Sequence, residues 1–177
     1  MAEKSSGKLV VTVPSDKEIL LSRVFDAPRH LVFEAMTKPE LVRRWWCCFD
    51  GFTMPVCDID LRVGGKYRYV MVGPDGGEVG FRGEYQEIVA PERIVHTEIF
   101  EPFPDSPSLV TMTLEERDGK TYYQSRVVHQ TTEARDMHLK SGMENGANIA
   151  LDRLEEIARS LVAASGTGER ATSSAPS

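Results

Sequence analysis

The sequence has no long hydrophobic run. Nothing in it approaches the ~20 consecutive apolar residues that a helix needs to cross a bilayer. The opening residues MAEKSSGKLV also lack the apolar segment of a secretory signal. Cysteine is scarce: three residues in 177, an odd number, which argues against a disulfide-built secreted scaffold. Positive charge is in short supply as well. The chain carries 21 Lys and Arg against 27 Asp and Glu, for a net charge of −6. That balance disfavours attachment to nucleic acid or to an anionic membrane surface. The cytoplasm is the expected setting.

Cofactor and metal signals are missing too. Cys47 and Cys48 are adjacent, so both cannot easily bind one tetrahedral zinc ion, and the C-x-x-C spacing is absent. Neither a metal, a native disulfide nor a cofactor is expected. Gly64-Gly65 reads as a turn and not a phosphate loop, because no helix start follows it. Asp60 and Arg62 are expected to pair at or cap that turn, with no chemical role.

What remains is enough for one domain. A chain of this length buries roughly two-thirds of its unfolded surface. Residues 1–7 are polar and expected to be flexible, residues 8–163 form the domain, and residues 164–177 (ASGTGERATSSAPS) have no side chain suited to a core and are expected to be a disordered tail. Lys8–Val13 and Glu18–Phe25 read as strands around Pro14-Ser15-Asp16, either a hairpin or one interrupted strand. Asp26 suits a helix N-cap and Pro28 a first turn, with Leu31, Val32 and Ala35 as the apolar face. Thr37 and Glu40 have capping-box spacing around Pro39, opening a second helix with Leu41, Val42, Trp45 and Trp46.

A strand run follows, expected at 53–60, 66–72, 78–89, 93–100, 109–117 and 120–130, with short turns that imply an antiparallel meander. Lys66–Val72 alternates, with Tyr67, Tyr69 and Met71 on one face. The last helix pattern begins near Thr131. Met143, Ala147, Ala150, Leu154, Ile157 and Leu161 make one stripe, and an end near 162 is expected. Gly142 and Gly146 fall inside this pattern, so the helix either breaks near Gly142 or lies close to backbone there. Two short helices after the first strand, a run of strands and a long final helix suggest a curved sheet gripping a helix, an arrangement that encloses a cavity.

The segments FDAPRHLVFEAMTKPELVRRWW, DLRVGGKYRYVM, GPDG, FRGEYQEIVAPERIVHTE and EARDMHLKSGMENG…LDRLEEI, in this order over residues 17–162, resemble one family. It is that of the bacterial proteins similar to the C-terminal domain of the activator of the heat-shock protein 90 ATPase, within the SRPBCC (START-like, birch-pollen-allergen-like) superfamily. The resemblance implies an α+β helix-grip fold: a curved antiparallel sheet wrapped around a long C-terminal helix, with a hydrophobic cavity between them. The chain departs from the family pattern at Cys47-Cys48, where Gly-Pro is usual, and at Ala147, where a bulky aromatic is frequent. Ala147 leaves space facing the cavity.

The expected lining takes Tyr67, Tyr69, Met71, Phe81 and Tyr85 from the first strands of the meander. Met112, Leu114, Tyr123 and Val127 come from the later strands, and Met143 and Ala147 from the helix. Trp45 and Trp46 are adjacent on a helix and cannot both point one way, so one is expected at the cavity mouth. Ser125 shares a parity with Tyr123. Alternation alone leaves open whether Ile94, His96 and Glu98 or Val95, Thr97 and Ile99 face inward; the family pattern favours His96 inward. His96 and Glu98 are residue types suited to acid–base work. Positions i and i+2 on a strand lie ~7 Å apart, however, and no Ser or Cys nucleophile is placed against them. No catalytic residue is therefore assigned. The expectation is a binder of a small apolar or aromatic molecule. A chaperone-interacting module ranks second, and a cyclase- or hydrolase-like enzyme using the same cavity third.

Overall fold

The computed structural model describes the backbone of residues 7–46 and 49–173 and the side chains through residue 164. The expected flexibility of the first residues and the Cys47-Cys48 thiols fall outside the described residues, as do residues 174–177 of the expected tail.

The strands are β1 (Val10–Thr12), β2 (Glu18–Phe25), β3 (Thr53–Ile59), β4 (Lys66–Val72), β5 (Glu78–Val89), β6 (Arg93–Phe100), β7 (Ser108–Arg117) and β8 (Lys120–Val128). They form one sheet in the order β1-β2-β8-β7-β6-β5-β4-β3, antiparallel at every pairing. The first segment is thus a hairpin, with Val10 opposite Ser22, and not a single interrupted strand. Helices α1 (Arg29–Thr37) and α2 (Pro39–Trp45) follow β2; α3 (Thr132–Lys140) and α4 (Met143–Ser173) follow β8. This is the α+β helix-grip architecture.

Two caps differ from the sequence reading. Pro28, not Asp26, is the N-cap of α1, and the Asp26 backbone N–H instead donates to Glu155 at 2.8 Å. Lys38 is the N-cap of α2, while the Thr37 hydroxyl donates back to the Phe33 carbonyl at 2.8 Å. At Asp26 the helix opens two residues later, on Pro28, whereas at Thr37 the hydroxyl suited to capping α2 is taken by the Phe33 carbonyl. The last helix pattern is divided. Thr131 caps α3 by accepting from the Ala134 N–H at 3.0 Å, and the chain then turns at Gly142, whose φ of +84° is strained for any side chain. Beyond it, α4 runs past the end expected near 162. Once a helix is nucleated by packing, each further residue adds a hydrogen bond without a new nucleation cost, even where the composition is poor.

Core packing holds the grip closed. Leu154, Ile157 and Ala158 of α4 are buried with Ile19 and Phe25 of β2, Val32 and Ala35 of α1, and Val42 of α2. Arg23 on β2 is buried and donates to Asp152 at 2.6 Å and to Glu155 at 3.1 Å, clamping the sheet to α4. The buried guanidinium would be left without a counter-charge only if both carboxylates were removed. Among the described residues no helix is long and apolar enough to cross a membrane.

Candidate ligand site

The concave face of β4, β5 and β6 carries a connected set of rings. Tyr67 and Tyr69, two apart on β4 and so on one face, have centroids 5.0 Å apart. Tyr85 lies 5.6 Å from Tyr67, and His96, opposite Tyr85 in register, lies 5.1 Å from Tyr67. Phe81 pairs with Tyr69 across the β4–β5 ladder. Trp46 meets both, at 4.9 Å from Tyr69 and 5.6 Å from Phe81.

The neighbouring tryptophan points elsewhere. The Trp45 indole N–H donates to the Ala35 carbonyl at 2.8 Å, tying α2 to α1 as part of the core. Met112 opposes Ser125 and Leu114 opposes Tyr123 across β7 and β8, all on the concave side and buried. Met71, Phe81, Met143 and Ala147 are half-buried, as is Trp46. Trp46 and Phe81 are the partly exposed members of a ring set whose other members, Tyr67, Tyr69 and Tyr85, are buried, and Met143 and Ala147 pack, partly buried, against the same core. The first two turns of α4 hold more loosely than the next two: Met143, Ala147 and Ala150 stay half-buried, whereas Leu151, Leu154 and Ile157 are fully buried. A separate recess of about 190 Å³ lies at the β1–β2–β8 edge, lined in part by Lys8, Val10 and Tyr122.

His96 and Glu98 both face the concave side, with Ile94 and opposite Val110 and Ser108 of β7. Val95 is buried too, so both faces of β6 carry apolar weight. One phenol links the two polar residues. The Tyr67 hydroxyl is 3.2 Å from His96 Nδ1 and donates to the Thr97 carbonyl at 3.0 Å, and the Glu98 carboxyl lies within its electrostatic reach. His96 Nδ1 lies 2.9 Å from the same carbonyl oxygen. A carbonyl oxygen only accepts, so Nδ1 carries the proton.

The Thr97 peptide is turned out of the regular ladder. Its carbonyl points into the concave face, and its side-chain Oγ1 takes the Glu84 N–H at 3.0 Å. Gly83 makes this possible, since a Cβ there would collide with that oxygen. Sequence reasoning missed both Thr97 and Gly83. The available signal was glycine inside a strand, at Gly80 and Gly83 of β5, which marks a close approach of other atoms.

Burial sets the protonation states. It pushes Glu98 up to about 7, partly opposed by the nearby Tyr67 hydroxyl. Burial also holds His96 below the usual imidazole range against the opposing Thr97 bond, so the ring is neutral at physiological pH. Tyr67, Tyr69 and Tyr85 are pushed upward mainly by burial and stay protonated. Tyr123 is pushed up to about 12, again by burial first. Cys57 is buried with its thiol donating toward the Pro39 carbonyl at 3.6 Å. Burial raises its pKa to about 11, which suppresses the thiolate. The arrangement offers aromatic faces, one carboxyl poised near neutrality and one neutral imidazole.

A family model described as Activator of Hsp90 ATPase homolog 1-like protein matches residues 26–159. The chain belongs to this family. Its fold is shared with many solved structures. A Rhodobacter sphaeroides protein is 27% identical, with a TM-score of 0.79 over 87% of this chain and 99% of that one. A Mycobacterium smegmatis protein is 25% identical, with a TM-score of 0.74 over 84% and 96%. An Aeromonas hydrophila protein from the same named family is 18% identical, with a TM-score of 0.58 over 80% and 93%, a likeness of fold alone. No curated protein matches.

Proposed function

We propose that this protein binds a small apolar or aromatic molecule between the concave sheet face and the first two turns of α4. One observation carries the reading: the partly exposed Trp46 and Phe81 meet Tyr69 beside the buried Tyr67 and Tyr85, with a few polar groups on the same sheet face. Ligand sites have this composition, mostly apolar with a small number of placed polar groups. The rings already touch one another, so a ligand enters by parting Trp46 and Phe81 or by sliding beneath Ala147.

Planar aromatic molecules should bind at micromolar strength, about −8 kcal/mol. Ala147→Trp puts a bulky ring on the face of α4 that packs against the core, and calorimetry should find weaker binding with the fold unchanged. Equal affinity in that variant would remove this surface as the site.

The family description favours a second reading, a chaperone partner. A coupled assay with equimolar heat-shock protein 90 separates the two. We expect no acceleration of its ATPase; a clear acceleration would move the protein to that reading.

A further inference from the structure

We infer that the ligand carries a protonated amine on its aromatic frame and that this amine pairs with the Glu98 carboxylate. The inference rests on the proposed ligand site and adds the chemistry of its polar end.

The argument is an accounting of protons. The Thr97 carbonyl is the sink: it accepts from the Tyr67 hydroxyl at 3.0 Å and from His96 Nδ1 at 2.9 Å. With Nδ1 protonated and the ring neutral, His96 Nε2 is a bare lone pair, and no described residue hydrogen-bonds to it. Tyr67 has one proton to give and gives it to Thr97. Glu98 as the uncharged acid carries an O–H that can be turned toward the Tyr67 oxygen. Glu98 as the carboxylate competes with Thr97 for a single phenol proton and keeps acceptor capacity that this cluster does not fill.

No cation of the protein fills it. Glu98 takes part in no ion pair among the described residues. The buried guanidinium on the sheet, Arg23, is already committed to Asp152 and Glu155. An anionic ligand would meet a carboxyl with no counter-charge, and a neutral ring would leave both the His96 lone pair and the carboxylate unused. A protonated amine has N–H donors for Glu98 and for His96 Nε2. The faces of Tyr67, Tyr69, Tyr85 and Trp46 attract the same positive charge.

The test uses three probes of one shape, 1-naphthylmethylamine, 1-naphthalenemethanol and 1-naphthoate, titrated by calorimetry into the wild-type protein and Glu98→Gln. The wild type should bind the amine about ten-fold more tightly than the alcohol and the carboxylate most weakly. Glu98→Gln should lose the amine preference while binding the alcohol as before, which also shows that the variant site is intact. If the alcohol binds and the amine binds no better, or the carboxylate binds best, the inference fails and the ligand site stands. If Glu98→Gln keeps the full amine preference, the inference fails. If none of the three probes binds the wild type, the ligand site and the inference fail together. The wild-type ranking decides the matter even if the variant does not fold.

Discussion

A Cβ placed on Gly83 would lie 1.9 Å from the carbonyl oxygen of Thr97. No real contact is that short, and the obstacle is backbone, which cannot swing away as a side chain would. The Tyr67 ring is the next obstacle, at 2.7 Å. The absent side chain on β5 is therefore what lets the β6 carbonyl turn inward and collect the protons of Tyr67 and His96.

Gly83→Ala should accordingly cost about 2 kcal/mol or more, in the range of overpacked buried sites. Chemical denaturation measures the loss. The same variant should shift the His96 ring resonances in NMR, because Thr97 must withdraw the oxygen that fixes its tautomer. A stable variant with unchanged His96 signals would show that the inward carbonyl does not depend on Gly83.

Glu98 should make stability fall as pH rises. Its folded pKa is about 7 against an ordinary 4.5, so between these values the folded state holds more protons than the unfolded state. The contribution is fully present below about 4.5 and is lost as pH climbs through about 7. The full swing is at most about 3 kcal/mol. Glu98→Gln should remove this slope, so the difference between wild type and variant should tilt toward the variant from pH 5 to 8, roughly the span of the titration. A pH-independent difference would mean that the Glu98 carboxyl is not held in the uncharged form.

The histidine pair at the base of α3 should act in the opposite direction. His129 Nε2 and His138 Nδ1 are 3.0 Å apart, a hydrogen bond that requires one of the two nitrogens to lack a proton. Burial, then the charge of His129, brings His138 down to about 4; burial, then Arg135, lowers His129. A depressed base stabilises the fold above its unfolded pKa, and that stability is lost as pH falls from about 6.5 toward 4. No α3 side chain is fully buried, so this helix should loosen first. Hydrogen exchange of residues 132–140 should accelerate across this window in the wild type and lose that pH dependence in His138→Phe. Identical profiles would show that the pair does not hold α3.

The order of elements was legible in the sequence because short-range rules govern it. The β4 alternation, the turns at Gly73–Gly77 and Asp118-Gly119, and Pro39 at the head of α2 each depend on a few neighbouring residues. The family pattern extended this reading to the whole helix-grip fold. The sequence also left a real choice at Gly142, between a broken helix and a close approach, and the structure took the break.

Tertiary structure decided the rest. Asp26 and Thr37 carried proper capping signals, but α1 opens at Pro28 and the Phe33 carbonyl takes the Thr37 hydroxyl. Alternation could not choose a face for β6, because Ile94 and Val95 are both apolar and both buried. Trp45 and Trp46 are indistinguishable in sequence, and only the docking of α2 sends one to Ala35 and the other onto Tyr69. The meeting of Tyr67, His96, Thr97 and Glu98 depends on the β4–β5–β6 register and on a missing Cβ at Gly83. Residues remote in the chain come within hydrogen-bond distance only when strands pair, and that distance appears in no local pattern.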